Sequence, residues 1–309
     1  MKILDTGLLY RNPIPHVRSV HGYFPSVVSM DNGEMLATAV LGEAFEAPNL
    51  RTHVFRSVDA GHTWQHEGPI YPGVQDALMS DASRLTALGG GHLVAFTVRH
   101  DRTEHPGEGL TNPETLGFVP TELLQFRSAD CGHTWTGPVS IVPPLEGPSF
   151  ELCCPITVLR DGRWVLPTST WQGWDGYCPN GIRTIALVSN DAGKTWPGYW
   201  NVMAEAAGKT HFWESKIIEL PDGHITVGSN SYLLHAASSL VINAIKHLAE
   251  IPQKIHLLPQ NITESIGSFK TTILGTKSPS LDLEETLITL SISAMTNPAA
   301  QLAIEKLKD

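Results

Sequence analysis

The sequence predicts a mixed fold: four-stranded antiparallel β units over residues 1–223, then a helical, α/β-derived segment over 224–309. Three observations carry that expectation. An eight-residue motif, Ser-x-Asp-x-Gly-x-Thr-Trp, occurs three times in the first part. Pairs of apolar strands joined by Gly turns alternate with it. After about Gly228 both signals stop, and apolar residues recur at helical spacing instead.

The motif occupies residues 57–64, 128–135 and 189–196, with copies roughly 60 to 70 residues apart. Its residue types suit a hairpin turn. The carboxylates of Asp59, Asp130 and Asp191 are expected to accept backbone N–H groups two residues on, closing an Asx-type turn. Gly61, Gly132 and Gly193 supply a positive φ. The Thr re-enters the strand, and Trp64, Trp135 and Trp196 pack under the hairpin. These Asp residues are therefore expected to be structural rather than catalytic.

The interleaved repeat is strand, tight turn, strand. Its turns are Asn32-Gly33, Gly89-Gly90-Gly91, Asp161-Gly162 and Asp222-Gly223, each between apolar runs. The two alternating hairpins make four strands per repeat, which is a propeller blade. Three and a half to four such blades are expected, not closed on themselves, with a closed four-bladed ring as the alternative. In the tail, Leu234, Ala237, Val241, Ala244, Ile245 and Leu248 form one helical stripe. Asp282 caps a second helix, with Glu285 completing a capping box and Leu283, Leu287, Leu290 and Ala294 as its stripe. Asn297-Pro298 starts a third, with Ala299, Leu302, Ala303 and Leu307.

A net charge of −10 and the absence of any basic run argue against a nucleic-acid partner. No apolar stretch reaches the ~18 residues of a membrane span. Met1 to Asp5 do not read as a secretory leader, so a soluble, cytoplasmic chain is expected. Cys131, Cys153, Cys154 and Cys178 have no C-x-x-C spacing and are expected to be small buried residues in strands. Gly193-Lys194-Thr195 lacks the first Gly of a P-loop, and the His residues show no ligand-like pairing. Neither a cofactor nor a catalytic metal is expected. Asn261-Ile262-Thr263 is a glycosylation sequon without meaning in the cytoplasm.

With its three motif copies, the so-called Asp boxes, the first ~223 residues resemble the sialidase (neuraminidase) superfamily of six-bladed propellers. The resemblance implies a truncated version, about four of six blades. Such sialidases use three Arg for the substrate carboxylate, a Tyr nucleophile with a Glu beside it, and an Asp general acid/base. Carried over residue by residue, Glu214 of Trp213-Glu214-Ser215 takes the place of that Glu. Glu46, in the loop where the acid Asp belongs, is the replacement acid. Arg51 and Arg99 are candidates for a substrate carboxylate, and Trp213, Trp171 and Trp174 for stacking on a sugar. Tyr23-Phe24-Pro25 stands where the family has Arg-Ile-Pro, and Asn230 where it has its second Arg. The blades bearing the Tyr and the third Arg have no counterpart.

From Leu220-Pro221-Asp222-Gly223 onward the chain resembles the C-terminal region of a bacterial domain-of-unknown-function family. The likeness runs through residues 241–246 and 255–258 to Ala303. That short stretch fits both families, which implies a chimera of two truncated proteins. The function expected is that of a sialidase-like glycoside hydrolase acting on a glycan or other small substrate, inactive as this chain. The alternative is a carbohydrate-binding or scaffold propeller without hydrolysis.

Overall fold

A computed structural model describes residues 6–73, 78–152, 154–205 and 210–308; Cys153 lies outside them. By its internal contacts the chain divides into two units, residues 1–182 with 186–200, and residues 183–185 with 201–309.

Antiparallel sheets dominate. The first runs in the order β1 (His21–Ser29), β2 (Met35–Gly42), β3 (Arg51–Ser57), β4 (Gln65–Pro69). The second has the same order: β5 (Met79–Gly89), β6 (His92–Asp101), β7 (Thr121–Ser128), β8 (Thr136–Ile141). In the third, β10 (Thr157–Val158), β11 (Trp164–Trp171), β12 (Thr184–Ser189) and β13 (Gly198–Met203) follow one another. There β9 (Ser149–Leu152) also pairs with β11, so the first strand is broken in two. A fourth sheet is the hairpin β14 (Ser215–Glu219) and β15 (Ile225–Ser229). Strict meander order follows from hairpin turns at every second connection.

The first two sheets enclose a common apolar cluster that includes Leu36, Val54, Leu93, Leu124 and Phe126. Polar residues also cross this interface. Buried Asp81 on β5 accepts the Thr52 N–H of β3 at 2.8 Å, and Ser83 links Thr52 to Thr97 by hydroxyl contacts of 3.2 and 2.7 Å.

All three motif turns share one hydrogen-bond pattern, and it differs from the expected one. Asp59 Oδ1 accepts from Thr63 N at 2.8 Å, four residues on rather than two, and Oδ2 accepts from the Thr63 hydroxyl at 2.5 Å. Ser57 Oγ donates to Asp59 at 2.8 Å and accepts from Gly61 N at 2.8 Å. Asp130 and Asp191 repeat the set with Ser128 and Thr134, and with Ser189 and Thr195. The residue before each Gly is left-handed as well: Ala60, Cys131 and Ala192 have φ of 57°, 58° and 56°. Trp196 is buried, whereas Trp64 and Trp135 are half-buried against the cores.

Successive turns are tied together by an Arg just before the motif. Arg56 Nη1 donates to the Cys131 carbonyl at 2.9 Å, and Arg127 donates to the Ala192 carbonyl. Each Arg thus reaches the left-handed residue of the next copy. The third copy has Val188 in that place, and the relay stops there.

Of the described cysteines, Cys131 lies in a motif turn, Cys178 in a loop, and Cys154 just beyond β9. None of the three lies in a strand, and of them only Cys154 is buried as expected.

In the second unit, α1 (Ala236–Leu248) lies on the β14–β15 hairpin. Asn243 Nδ2 donates to the Val227 carbonyl at 2.8 Å. A Cβ on Gly228 would stand 2.2 Å from the Ala236 carbonyl and 2.3 Å from Leu240 N, so only glycine lets strand and helix approach this closely. His247 Nε2 meets Asp222 Oδ2 at 2.6 Å, and its ring stacks on His224 at 3.8 Å. Leu234, Ile242, Ile245, Leu281, Leu290, Ala300 and Ala303 form the core of this unit.

The capping box forms as expected: Asp282 accepts Glu285 N, and Glu285 accepts Asp282 N, both at 2.9 Å, opening α3 (Leu283–Ala294). Asn297 caps α4 (Pro298–Glu305) with Pro298 at its first position. Of the expected stripe Ala303 is buried and Ala299 packs on the core, whereas Leu302 and Leu307 are exposed and Ala300 is buried in their stead. A further helix, α2 (Gln260–Thr272), has no counterpart in the sequence reading. Among the described residues no helix is long and apolar enough to cross a membrane.

Candidate functional site

The candidate residues of the first unit sit where loops leave the strands. Glu46, between β2 and β3, has both carboxylate oxygens engaged. Oε2 accepts from Thr111 N at 3.0 Å and Oε1 from the Thr111 hydroxyl at 2.8 Å. Its backbone carbonyl accepts from Arg102 at 3.1 Å, and the fully buried Arg102 also donates to the Glu108 carbonyl at 2.5 Å. Glu46 and Arg102 thereby clamp the 43–50 loop to the long loop between β6 and β7.

Arg51 opens β3. Its Nε lies 3.7 Å from Asp81 Oδ2, and its Nη1 donates to the Leu50 and Met79 carbonyls. Burial pushes the Asp81 carboxyl up. Asp81 faces Arg99 across the β5–β6 pair, and Arg99 in turn faces and ion-pairs with Glu122 of β7. The Ser140 hydroxyl donates to the other Glu122 oxygen at 2.5 Å. Arg51 thus lies beside Asp81, while Arg99, the cross-strand partner of Asp81 by backbone register, is paired with Glu122. Burial, then the neighbouring Arg102, pushes His100 down to about 4.

Trp171 is buried. Its Nε1 donates to the Leu116 carbonyl at 2.9 Å and its ring stacks on Phe118 at 4.8 Å. Trp174 carries His105 on its ring at 3.8 Å, and His105 Nδ1 meets Glu108 at 3.1 Å. Asp81, Arg102 and His105 were not singled out by the sequence reading. Asp81 stands nine residues before Gly90, as Glu214 does before Gly223, and that spacing is the signal that marks it.

In the second unit, Glu214 precedes β14 with φ of 53°, a conformation that costs a non-glycine residue on the order of 1–3 kcal/mol. Its carboxylate is exposed and accepts from Asn230 Nδ2 at 2.6 Å. Asn230 Oδ1 accepts from Ala236 N at the start of α1, also at 2.6 Å. Glu214 is thus tied to the residue that occupies the expected Arg position. Trp213 is 45% exposed. Among the described residues no three His, Cys, Asp or Glu side chains converge as metal ligands.

Residues 200–309 match the C-terminal part of the domain of unknown function DUF1846, a stretch that contains Glu214. A UPF0371 protein of Clostridioides difficile is 43% identical over 109 residues, which are 35% of this chain and 22% of that one. A UPF0371 protein of Corynebacterium diphtheriae is 48% identical over 92 residues, 30% of this chain and 18% of that one. The chain thus spans about a fifth of the length of these curated relatives.

Solved structures share the β fold. A protein of unknown function from Dyadobacter fermentans superposes with a TM-score of 0.55 at 23% identity, covering 72% of this chain and 64% of that one. A Hadza microbial sialidase gives 0.51 at 19% identity, covering 67% and 42%. An α-L-arabinofuranosidase of Fusarium graminearum, bound to an iminosugar inhibitor, gives 0.50 at 14%, covering 67% and 56%. At these identities the likeness is one of fold.

Proposed function

We propose that residues 1–223 are a sialidase-like glycoside-hydrolase propeller of about four of the family's six blades, joined to the C-terminal piece of an unrelated family, and that this cytoplasmic chain does not turn over sialosides. The observation that carries the inactive reading is the state of the guanidinium groups. Arg51 is held by Asp81 and two carbonyls, Arg99 by Glu122, and Arg102 by the carbonyls of Glu46 and Glu108. A sialic acid carboxylate would have to displace a built-in partner from each.

Glu46 as general acid must likewise give up Thr111. Glu214 is the better catalytic candidate, because its carboxylate stands exposed and its backbone is held in a strained conformation. The join between the two parts falls near the Leu220–Gly228 stretch on the sequence resemblance. Removing one preorganised electrostatic group costs on the order of 10²- to 10³-fold in rate. Engaging several together leaves nothing above background. The test is release of a fluorogenic leaving group from a sialoside by the pure chain. Turnover that vanishes in Glu214→Gln would overturn the inactive reading.

The alternative, a glycan-binding propeller without hydrolysis, is favoured by exposed aromatic side chains at the start of β1 and in the 43–50 loop.

A further inference from the structure

We infer that Tyr23, Phe24 and Phe45 form a platform for the apolar face of a neutral sugar ring, an inference that rests on the glycan-directed reading of the β part. Tyr23 and Phe24 lie in β1, whose pairing with β2 breaks register between Tyr23 and Ser26. Such a bulge re-aims a side chain, and bulges gather beside functional sites. Phe24 sits at φ of 50°, although it precedes a proline and such residues are ordinarily extended. Something must hold it there. Arg84 of β5 donates to the Phe24 carbonyl at 3.0 Å, and its guanidinium lies 5.7 Å from the Phe24 ring centre.

The result is three rings in mutual contact. Tyr23 meets Phe45 edge-on at 5.4 Å, Phe24 meets Phe45 at 5.5 Å, and Tyr23 meets Phe24 at 6.4 Å. Tyr23 is half-buried and packs on the Val40, Leu50 and Ala82 cluster, so it anchors the corner. Phe24 and Phe45 remain 37% and 55% exposed. A residue kept strained and a phenylalanine kept in solvent are both unfavourable for folding alone.

The chemistry selects the ligand class. Aromatic faces carry negative charge density, so they attract the C–H face of a sugar and repel a carboxylate. The guanidinium of Arg84 is committed to the Phe24 carbonyl and ring. His21, 6.2 Å from Tyr23 and hydrogen-bonded to the Ser19 hydroxyl at 2.7 Å, supplies polar contacts at the rim for sugar hydroxyls. Phe45 immediately precedes Glu46 in the chain, so a sugar on the platform would lie beside the proposed acid loop.

Calorimetric titration of the full chain with arabinobiose, lactose and sialyllactose tests this, using wild type, Phe45→Ala, Phe24→Gly and Phe45→Trp. Phe24→Gly removes the ring and suits the left-handed backbone, and Phe45 lies in an exposed loop, so both variants should keep the wild-type melting temperature. The expected result is binding of at least one neutral disaccharide, weakened about tenfold or more by either ring deletion and kept by Phe45→Trp. Neutral-sugar binding that ignores both deletions would overturn the platform and leave the glycan reading standing. Preference for sialyllactose through the same rings would overturn the neutral class. Binding of none of the three saccharides would sink the glycan reading, and the platform with it.

Discussion

In each motif turn the Ser, Asp, Gly and Thr groups bond one another within seven consecutive residues. In the helical unit, several buried polar groups find partners far along the chain. Lys270 donates to the Ser280 carbonyl and to Glu285, both at 2.6 Å. Ser238 reaches the Leu281 carbonyl at 3.1 Å, and Ser280 the Ser231 carbonyl at 2.6 Å. Local satisfaction leaves its signature in a short stretch of sequence, and distant satisfaction does not. The Arg relay adds a long-range tie to these local turns, because it links one motif copy to the next.

Breaking that relay should have the largest effect. Arg56 is buried, holds Glu67 at 2.6 Å and Glu34 at 2.8 Å, and caps the Cys131 carbonyl. Arg56→Ala strands two partly enclosed carboxylates and should cost about 3–4 kcal/mol. Arg127→Ala, at a more open position, should cost about 1 kcal/mol. Urea denaturation followed by Trp fluorescence measures both. An Arg56→Ala loss no larger than that of Arg127→Ala would mean that the turns are independent of one another.

The two kinds of glycine turn in the third sheet sharpen the point. A Cβ on Gly193, in the third motif copy, would stand 2.7 Å from the buried Trp164 ring and 2.8 Å from Gln125 Oε1, at φ of 75°. A Cβ on Gly162, in the β10–β11 turn, would meet nothing within 4 Å, at φ of 87°. Gly162→Ala should therefore cost about 1 kcal/mol, the left-handed penalty alone. Gly193→Ala adds overpacking and should cost about 3 kcal/mol. Equal losses would show that the motif glycine serves the backbone only.

This contrast explains what could be read in advance. The four-stranded sheets, the motif turns, the Asp282–Glu285 cap and the Asn297-Pro298 start all rest on residues within a few positions of each other. Helix α2 was illegible because its buried side is Thr263, Gly267 and Lys270, while Phe269 is 52% exposed. Of its large apolar residues only Ile266 packs on the core, and it is half-buried. Similarly, α3 buries Thr286, Thr289 and Ser293 beside Leu290, not a stripe of leucines. In the candidate site, loop position pointed to Glu46 and residue type to Arg51 and Arg99 as candidates. What each is bonded to depends on cross-strand neighbours such as Asp81 and Glu122, and on Thr111 of a distant loop. No local pattern encodes those.

Acid should separate two groups of the β part. Burial, then neighbouring His66, pushes His53 down to about 4; burial, then Arg102, does the same to His100. Their unfolded value is about 6.5. The unfolded chain therefore binds more protons between about pH 6.5 and 4, and stability falls as pH drops through that window. Asp59 is held down to about 2 by Thr63, and Asp130 and Asp191 are lowered likewise by Thr134 and Thr195. Their contribution is present above the unfolded value near 4 and is lost as pH falls through the lower folded values. Midpoints of urea denaturation against pH should decline first between 6.5 and 4, then again below 4. His53→Phe should flatten the first decline, and a profile identical to wild type would remove His53 as its source.

The smallest expected change lies on the exposed face of the helical unit. Ile288, Ile292 and Met295 recur along α3 and are 59%, 44% and 83% exposed. An apolar stripe in solvent is a surface on which a protein can associate. Ile288→Lys removes part of the stripe without touching the buried side of α3, which is Thr286, Thr289, Leu290 and Ser293. It also places a Lys four residues after Glu284, the favourable order for an ion pair on a helix. Lys is a slightly better helix former than Ile. Stability should change by no more than about 0.5 kcal/mol, toward the folded state if at all. Light scattering at rising concentration should meanwhile show less self-association than wild type. A loss above about 1 kcal/mol would mean that Ile288 is covered in solution.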